Sequence, residues 1–366
     1  MERRWRAVAA GGFVVGIFLF VQLSALALVG PFERAGYRAV ENPQDPTNSV
    51  VYVVAILVVT ALMLAAFRYG VDQLIRAIVV LAGAWLSLYL FRVLVPPVVA
   101  PAVPGVGTIN LLAWVLAGGL GVALYVYPEW YVVDAAGAIM GAAAAGLFGI
   151  SFGLFPALVL LAVLAVYDAI SVYGTEHMLT LASGVMDLKV PVVLVVPTTL
   201  SYSFLNAEPP DPDAADGEAG ASEKQPDVDG RDRSATSGDG PDGDGRDGAD
   251  ASAEEPAGES GPDEGPLDRN ALFIGLGDAV IPSVLVASAA VFVPATVPRA
   301  FGIAVPALTA MVGTLVGLVV LLWMVFKGRA HAGLPLLNGG SIAGYLVGAL
   351  AVGMSLVDAL GVAQYL

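Results

Sequence analysis

The chain has 366 residues, 57% of them hydrophobic and 13% charged, yet its formal net charge is −15 and it contains no cysteine. So few charges exclude an ordinary water-soluble domain, which carries roughly a quarter charged residues, and the missing cysteines exclude disulfides, thiolate nucleophiles and iron–sulfur clusters. The acidity is local: residues 206–270 hold 20 Asp and Glu against 5 Lys and Arg, whereas the remainder holds 12 of each sign. With no basic stripe to meet phosphates, nucleic acid is excluded as a partner.

In chain order, apolar runs close to the roughly 20 residues that cross a bilayer lie at 8–29, 50–67, 74–95, 109–127, 131–150, 152–173, 271–293, 302–326 and 335–356. Arg3, Arg4 and Arg6 precede the first run. It is too long for a signal-peptide core and no cleavage site leads into a soluble domain, so it reads as a transmembrane helix. After the sixth run, 175–187 suits a short interfacial helix with Met178, Leu179, Leu181 and Val185 on its apolar side. The stretch 190–204 is interrupted by Pro191 and Pro197 and is too short to span; its Val-rich part, 192–196, reads as a strand. Residues 206–270 are Asp, Gly, Pro, Ala and Ser with almost no large apolar side chains, the composition of a disordered, solvated linker.

The expected fold is therefore an all-α polytopic membrane protein with nine transmembrane helices: six within 1–205, a disordered acidic loop at 206–270, and three within 271–366. Lys and Arg in the short loops set the orientation. With the linker left out, Arg3, Arg4, Arg6, Arg68, Arg76, Lys189, Lys327 and Arg329 fall on the amino-terminal side, against Arg34, Arg38, Arg92 and Arg299 on the other. This bias places the amino terminus and the acidic loop in the cytoplasm.

An acid inside a spanning helix costs roughly 2.5 to 3.5 kcal/mol on insertion scales, so each one is a functional candidate. There are four: Asp134, Asp168, Asp278 and Asp358. Asp134 and Asp358 lie near the ends of their runs and can reach the interface, which is a sufficient account of both. Asp168 precedes the end of the sixth run by about five residues and Asp278 follows the start of the seventh by about seven. At 1.5 Å per residue both lie roughly 8 to 11 Å in from one membrane face. Two carboxyls meeting at that depth cannot both ionise and share a proton. One can then take a proton from water while the other gives one to a carbonyl oxygen, which is the chemistry of peptide hydrolysis.

The flanking residues are Tyr167-Asp168 on the sixth helix and Gly275-Leu276-Gly277-Asp278 on the seventh. They closely resemble the YD and GLGD motifs of the intramembrane aspartyl proteases, the presenilin and signal peptide peptidase family, in the manner of an archaeal presenilin homologue. A third family motif, Pro-Ala-Leu at the ninth helix, has its counterpart in Pro335-Leu336-Leu337, where Leu336 replaces Ala. The resemblance implies an intramembrane endopeptidase with Asp168 and Asp278 as its catalytic pair. It also implies Pro335, Leu336 and Leu337 beside the substrate, transmembrane proteins as substrates, and neither cofactor nor metal. It leaves accessory subunits unspecified. Gly275 and Gly277 would let a substrate backbone approach Asp278, Tyr167 either donates a hydrogen bond near the pair or simply packs, and the strand at 192–196 could pair with an unwound substrate.

Literal Pro-Ala-Leu also occurs at 156–158 and 306–308, out of order for the family and expected by chance in so apolar a chain. Gly149-Ile150-Ser151-Phe152-Gly153 fits G-x-S-x-G, but His177 and His331 lie near the ends of other runs on the opposite face, so a Gly-rich turn is the better reading. Glu176-His177 lacks the second His of a zinc protease. The remaining alternatives are a proton- or cation-coupled transporter using the same two aspartates and a catalytically silent membrane scaffold. The lack of an internal repeat and the off-centre depth of the pair count against the transporter.

Overall fold

The computed structural model describes residues 2–103, 107–174, 193–197, 203, 271–327 and 332–365. The acidic segment 206–270, the interfacial helix expected at 175–187, His177 and His331 lie outside them. In chain order the helices are α1 (Glu2–Arg34), α2 (Thr47–Arg68), α3 (Asp72–Leu94), α4 (Leu111–Val126), α5 (Trp130–Ser151), α6 (Leu154–Gly174), α7 (Leu276–Phe292), α8 (Val305–Val325), α9 (Gly333–Ala351) and the single turn α10 (Leu356–Ala359). Six short strands pair as three antiparallel ribbons. Between α3 and α4, β1 (Ala102–Val103) pairs with β2 (Gly107–Thr108); β3 (Val193–Pro197) pairs with β4 (Ala271–Gly275); between α7 and α8, β5 (Arg299–Ala300) pairs with β6 (Ile303–Ala304).

Among the described residues, seven helices are long and apolar enough to cross a membrane: α1, α2, α3, α5, α6, α8 and α9. α4 and α7, with 16 and 17 residues, are shorter. At 1.5 Å per residue, α7 is about 26 Å long.

α5 is the central helix, packed against α1, α3, α7 and β3. Its sequence explains that position, since from Ala135 to Gly149 it is dominated by Ala and Gly, and small residues let neighbouring backbones come close where there is no water to drive association. At Gly149 a Cβ would overlap the Cβ of Ala287 on α7. α2, by contrast, touches little besides α6 and is almost wholly exposed. The most extensive helix pair is α8 with α9.

The expected seventh helix is corrected at its start. It begins at Leu276, because Ala271–Gly275 is paired with β3 in the register Val193 to Gly275, Val195 to Phe273 and Pro197 to Ala271. Gly275, in an extended conformation (φ −61°, ψ 131°), ends the strand and caps the helix. An apolar five-residue run reads equally well as strand or helix; here the partner strand decides. Leu194, Val195 and Val196 are buried, with Val196 against Ala10, Val14 and Phe18 of α1 and Val195 against Val133 and Ala136 of α5.

The G-x-S-x-G segment forms the turn from α5 into α6. Ser151 is buried there; its Oγ donates to the Leu147 carbonyl at 2.7 Å and accepts from the Ala39 N–H at 2.9 Å. Asp358 is exposed at the start of α10, where its N–H donates to Ser355 Oγ.

Candidate active site

α6 presents Leu161, Leu164 and Asp168 on one buried stripe, as residues spaced by three and four along a helix must be. Asp168 is 8% exposed, while Val166, Tyr167 and Ile170 are turned outward. α7 brings Asp278 in its first turn, rather than about two turns in, as a helix starting at 271 requires. The end of α6 and the start of α7 each carry one acid, and the two helices pack against one another.

The start of α9 borders the site: of two consecutive residues in its first turn, one binds Asp168 and the other lies beside Asp278. The Leu334 N–H donates to Asp168 Oδ2 at 3.0 Å, and a Cβ on Gly333 would stand 3.2 Å from Asp278 Oδ2. The first N–H groups of a helix have no partner within it, and one of them is here given to a carboxyl, which fixes the orientation of Asp168. Pro335 lies in the same turn, where its missing N–H costs nothing.

Behind this turn, a row of polar contacts ties α9 to both acid-bearing helices. The side-chain N–H of Asn338 donates to the Leu161 carbonyl of α6 at 3.0 Å, and Ser341 Oγ donates to the Pro282 carbonyl of α7 at 3.4 Å. Pro282 removes one intrahelical donor from α7, leaving the Asp278 carbonyl without its usual partner. Leu336 is partly buried, whereas Leu337 is fully buried in an apolar cluster with Phe18, Val196, Ala279 and Leu318. Gly275 and Gly277 are exposed, and among the described residues a Cβ would meet only Asp278 from Gly275, whose backbone is already paired with Val193, and only Ile281, at 3.8 Å, from Gly277. Tyr167 is 40% exposed on the outer face of α6.

Three features of the site carry no sequence signal or a misleading one. The Leu334 N–H is a backbone group, and Asn338 sits three residues past Pro335 in a run that otherwise reads as packing. Asp134, near the start of α5, is buried instead of reaching the interface, and its Oδ1 accepts the Val195 N–H at 2.7 Å. The Pro-Ala-Leu at 156–158 lies at the start of α6, the end opposite Asp168, where the Pro156 carbonyl accepts from Ser49 Oγ. That at 306–308 lies beside Gly348, at the end of α9 far from Pro335. Among the described residues, no group of three or more His, Cys, Asp or Glu forms a potential metal site.

Comparison with known proteins adds an independent line. The family described as signal-peptide peptidase, presenilin aspartyl protease matches residues 15–354. A solved structure described as a presenilin family intramembrane aspartate protease superposes with a TM-score of 0.57 at 30% identity, covering 92% of this chain and 97% of that one. A second crystal form under the same description gives 0.54 at 31% identity, covering 92% and 96%. No match was found among curated proteins. This chain, with its multiple apolar helices and an acid on each of α6 and α7, belongs to the signal-peptide peptidase and presenilin family of aspartyl proteases.

Proposed function

We propose that the protein is an intramembrane aspartyl endopeptidase, with Asp168 and Asp278 as the catalytic pair and water as the nucleophile. The observation that carries this reading is the convergence of three separate segments: Asp168 from α6, Asp278 from α7, and the turn at Gly333 and Leu334, which binds Asp168 and lies beside Asp278. One carboxylate takes a proton from water as the oxygen bonds to the scissile carbonyl carbon, and the other acid gives its proton to the carbonyl oxygen. Collapse of the tetrahedral intermediate breaks the C–N bond, with a proton passing to the departing amine. The titration belongs to the pair rather than to either residue.

A helical substrate hides its peptide bonds and must unwind to be cut. The exposed, side-chain-free face of Gly275 and Gly277 suits an extended backbone passing beside Asp278. Pro335 and Leu336 border the same space, with Leu337 supporting them from the core. β3 is not open to a substrate strand at Val195, since β4 takes one edge and Asp134 the Val195 N–H on the other.

α4 and α7 complete a nine-span reading, six before the acidic loop and three after it, in which α7 is short because β4 continues the chain at its active-site end. The Lys and Arg bias puts the amino terminus and the acidic loop on the cytoplasmic side. Substrates are transmembrane segments of other proteins. Reconstitution into liposomes with a transmembrane peptide tests the reading against a transporter: we expect cleavage without coupled proton or cation uptake. Uptake that depends on Asp168 and Asp278, with the peptide left intact, would reverse the assignment.

A further inference from the structure

Asp134 is an ionisable group that hydrolysis does not use, and it sits where an acid is expensive. It is 5% exposed, on a helix long and apolar enough to span the membrane. Its Oδ1 accepts the Val195 N–H at 2.7 Å, while its Oδ2 is buried with no hydrogen-bond partner among the described residues. One turn earlier, Glu129 Oε1 accepts from Ser203 Oγ at 2.6 Å. Glu129, which precedes the first turn of α5, and Asp134 within the helix thus bind Ser203 and Val195, two residues that lie between α6 and α7 in the chain.

In an antiparallel ladder, alternate residues turn their N–H away from the partner strand. Val195 is one of these, so its N–H points from the β3–β4 ribbon into α5. Such a group buried in an apolar surrounding has to be satisfied. Asp134 Oδ1 satisfies it, at the cost of placing an acid in a spanning helix. A residue that breaks the local rule at a stability cost marks a functional constraint. What the clamp holds is specific: Val195 lies opposite Phe273, two residues before Gly275 and five before Asp278.

We propose that Asp134 is a positioning residue for the Asp168 and Asp278 pair. By taking the Val195 N–H it fixes β3 against α5, and through the β3–β4 ladder it sets the height at which Gly275 and Asp278 enter α7. The inference rests on the aspartyl protease reading for its catalytic consequence and on the hydrogen bond alone for its structural one.

The test compares full-length wild type, Asp134→Leu and Asp134→Asn in liposomes with a transmembrane peptide substrate, counting folded molecules by thermal unfolding. We expect Asp134→Leu to lower kcat per folded molecule roughly 10- to 100-fold, the scale of a misplaced catalytic group, with KM within about twofold. Asp134→Asn, which keeps the acceptor oxygen, should restore most of the rate. Hydrogen exchange should quicken at the β3 and β4 amides in Asp134→Leu, stay as in wild type in Asp134→Asn, and not change in α8 and α9. If the activity of Asp134→Leu falls only in proportion to its folded fraction, the residue is structural and the proposal is overturned. Unchanged exchange in β3 and β4 overturns it as well, whatever the activity. Faster exchange with no peptide cleavage even by wild type would sink the protease reading, and with it the catalytic part of the proposal, while confirming the clamp.

Discussion

Two sets of glycines in this protein do opposite things. Between α8 and α9, Gly313, Gly340 and Gly344 are filled by the facing helix. A Cβ on Gly313 would overlap the Gly340 carbonyl oxygen, one on Gly340 the Gly313 carbonyl oxygen, and one on Gly344 that of Thr309. Beside Asp278, Gly275 and Gly277 are exposed, and among the described residues a Cβ on either would meet only the side chains of Asp278 or Ile281. The first set is consumed by folding. The second leaves a gap that the described residues do not fill, next to an acid that packing alone would not choose. A glycine motif in a membrane helix therefore takes its meaning from what faces it, and among the described residues no helix crowds the glycines of the GLGD segment as a helix contact would.

Substitutions with the same added methyl break or sharpen this contrast. The largest effect should come from Gly344→Ala. Overpacking of a tight seam costs about 1 to 3 kcal/mol and occasionally more, so thermal unfolding in detergent should move down clearly, and activity should fall with the folded fraction. Next, Gly277→Ala should leave the unfolding temperature within the small range of an uncrowded surface change, about 0.5 kcal/mol, while cleavage per folded molecule drops roughly tenfold, the size of a modest misalignment of reactants. An unfolding shift in Gly277→Ala with unchanged turnover would erase the distinction between the two sets.

Gly333→Ala is intermediate in kind: its Cβ would stand 3.2 Å from Asp278 Oδ2 and 3.5 Å from Leu321 Cδ2. It should cost a few-fold in kcat through displacement of the Asp278 carboxyl, with little change in stability. The smallest effect serves as a control far from both sets. Asp45 Oδ1 accepts the Thr47 N–H at 2.9 Å at the start of α2, and this bond holds the Asp45 carboxyl below its usual value of 3.8. A depressed folded value stabilises the protein above the unfolded pKa and is lost as pH falls through the folded one. Asp45→Ala should therefore slightly lower the unfolding temperature at neutral pH and make no difference once the pH is below the carboxylate range.

The helices are legible because runs of about 20 apolar residues have few other uses, and Asp168 and Asp278 because an acid stands out within them. The strand β4 is not legible from 271–275 alone, since Ala-Leu-Phe-Ile-Gly suits a helix as well, and only the pairing with β3 separates the two. The α8–α9 seam has a readable half: Gly340, Gly344 and Gly348 repeat every fourth residue, the spacing of close helix contacts, yet nothing in that pattern names Gly313 and Thr309 as what they meet. The contacts of Leu334 and Asp134 are hidden for another reason. Each joins a side chain to a backbone N–H far along the chain, 166 residues apart in one case and 61 in the other, and a backbone N–H has no letter of its own.

The central claim is that Asp168 and Asp278 together hydrolyse a peptide bond. Its most direct test is the initial cleavage rate of a transmembrane peptide by the purified wild type, Asp168→Ala and Asp278→Ala in the same liposomes, with product mass identifying the bond cut. The account predicts cleavage by the wild type and none above background by either variant, both folded; wild-type rates in either one would contradict it.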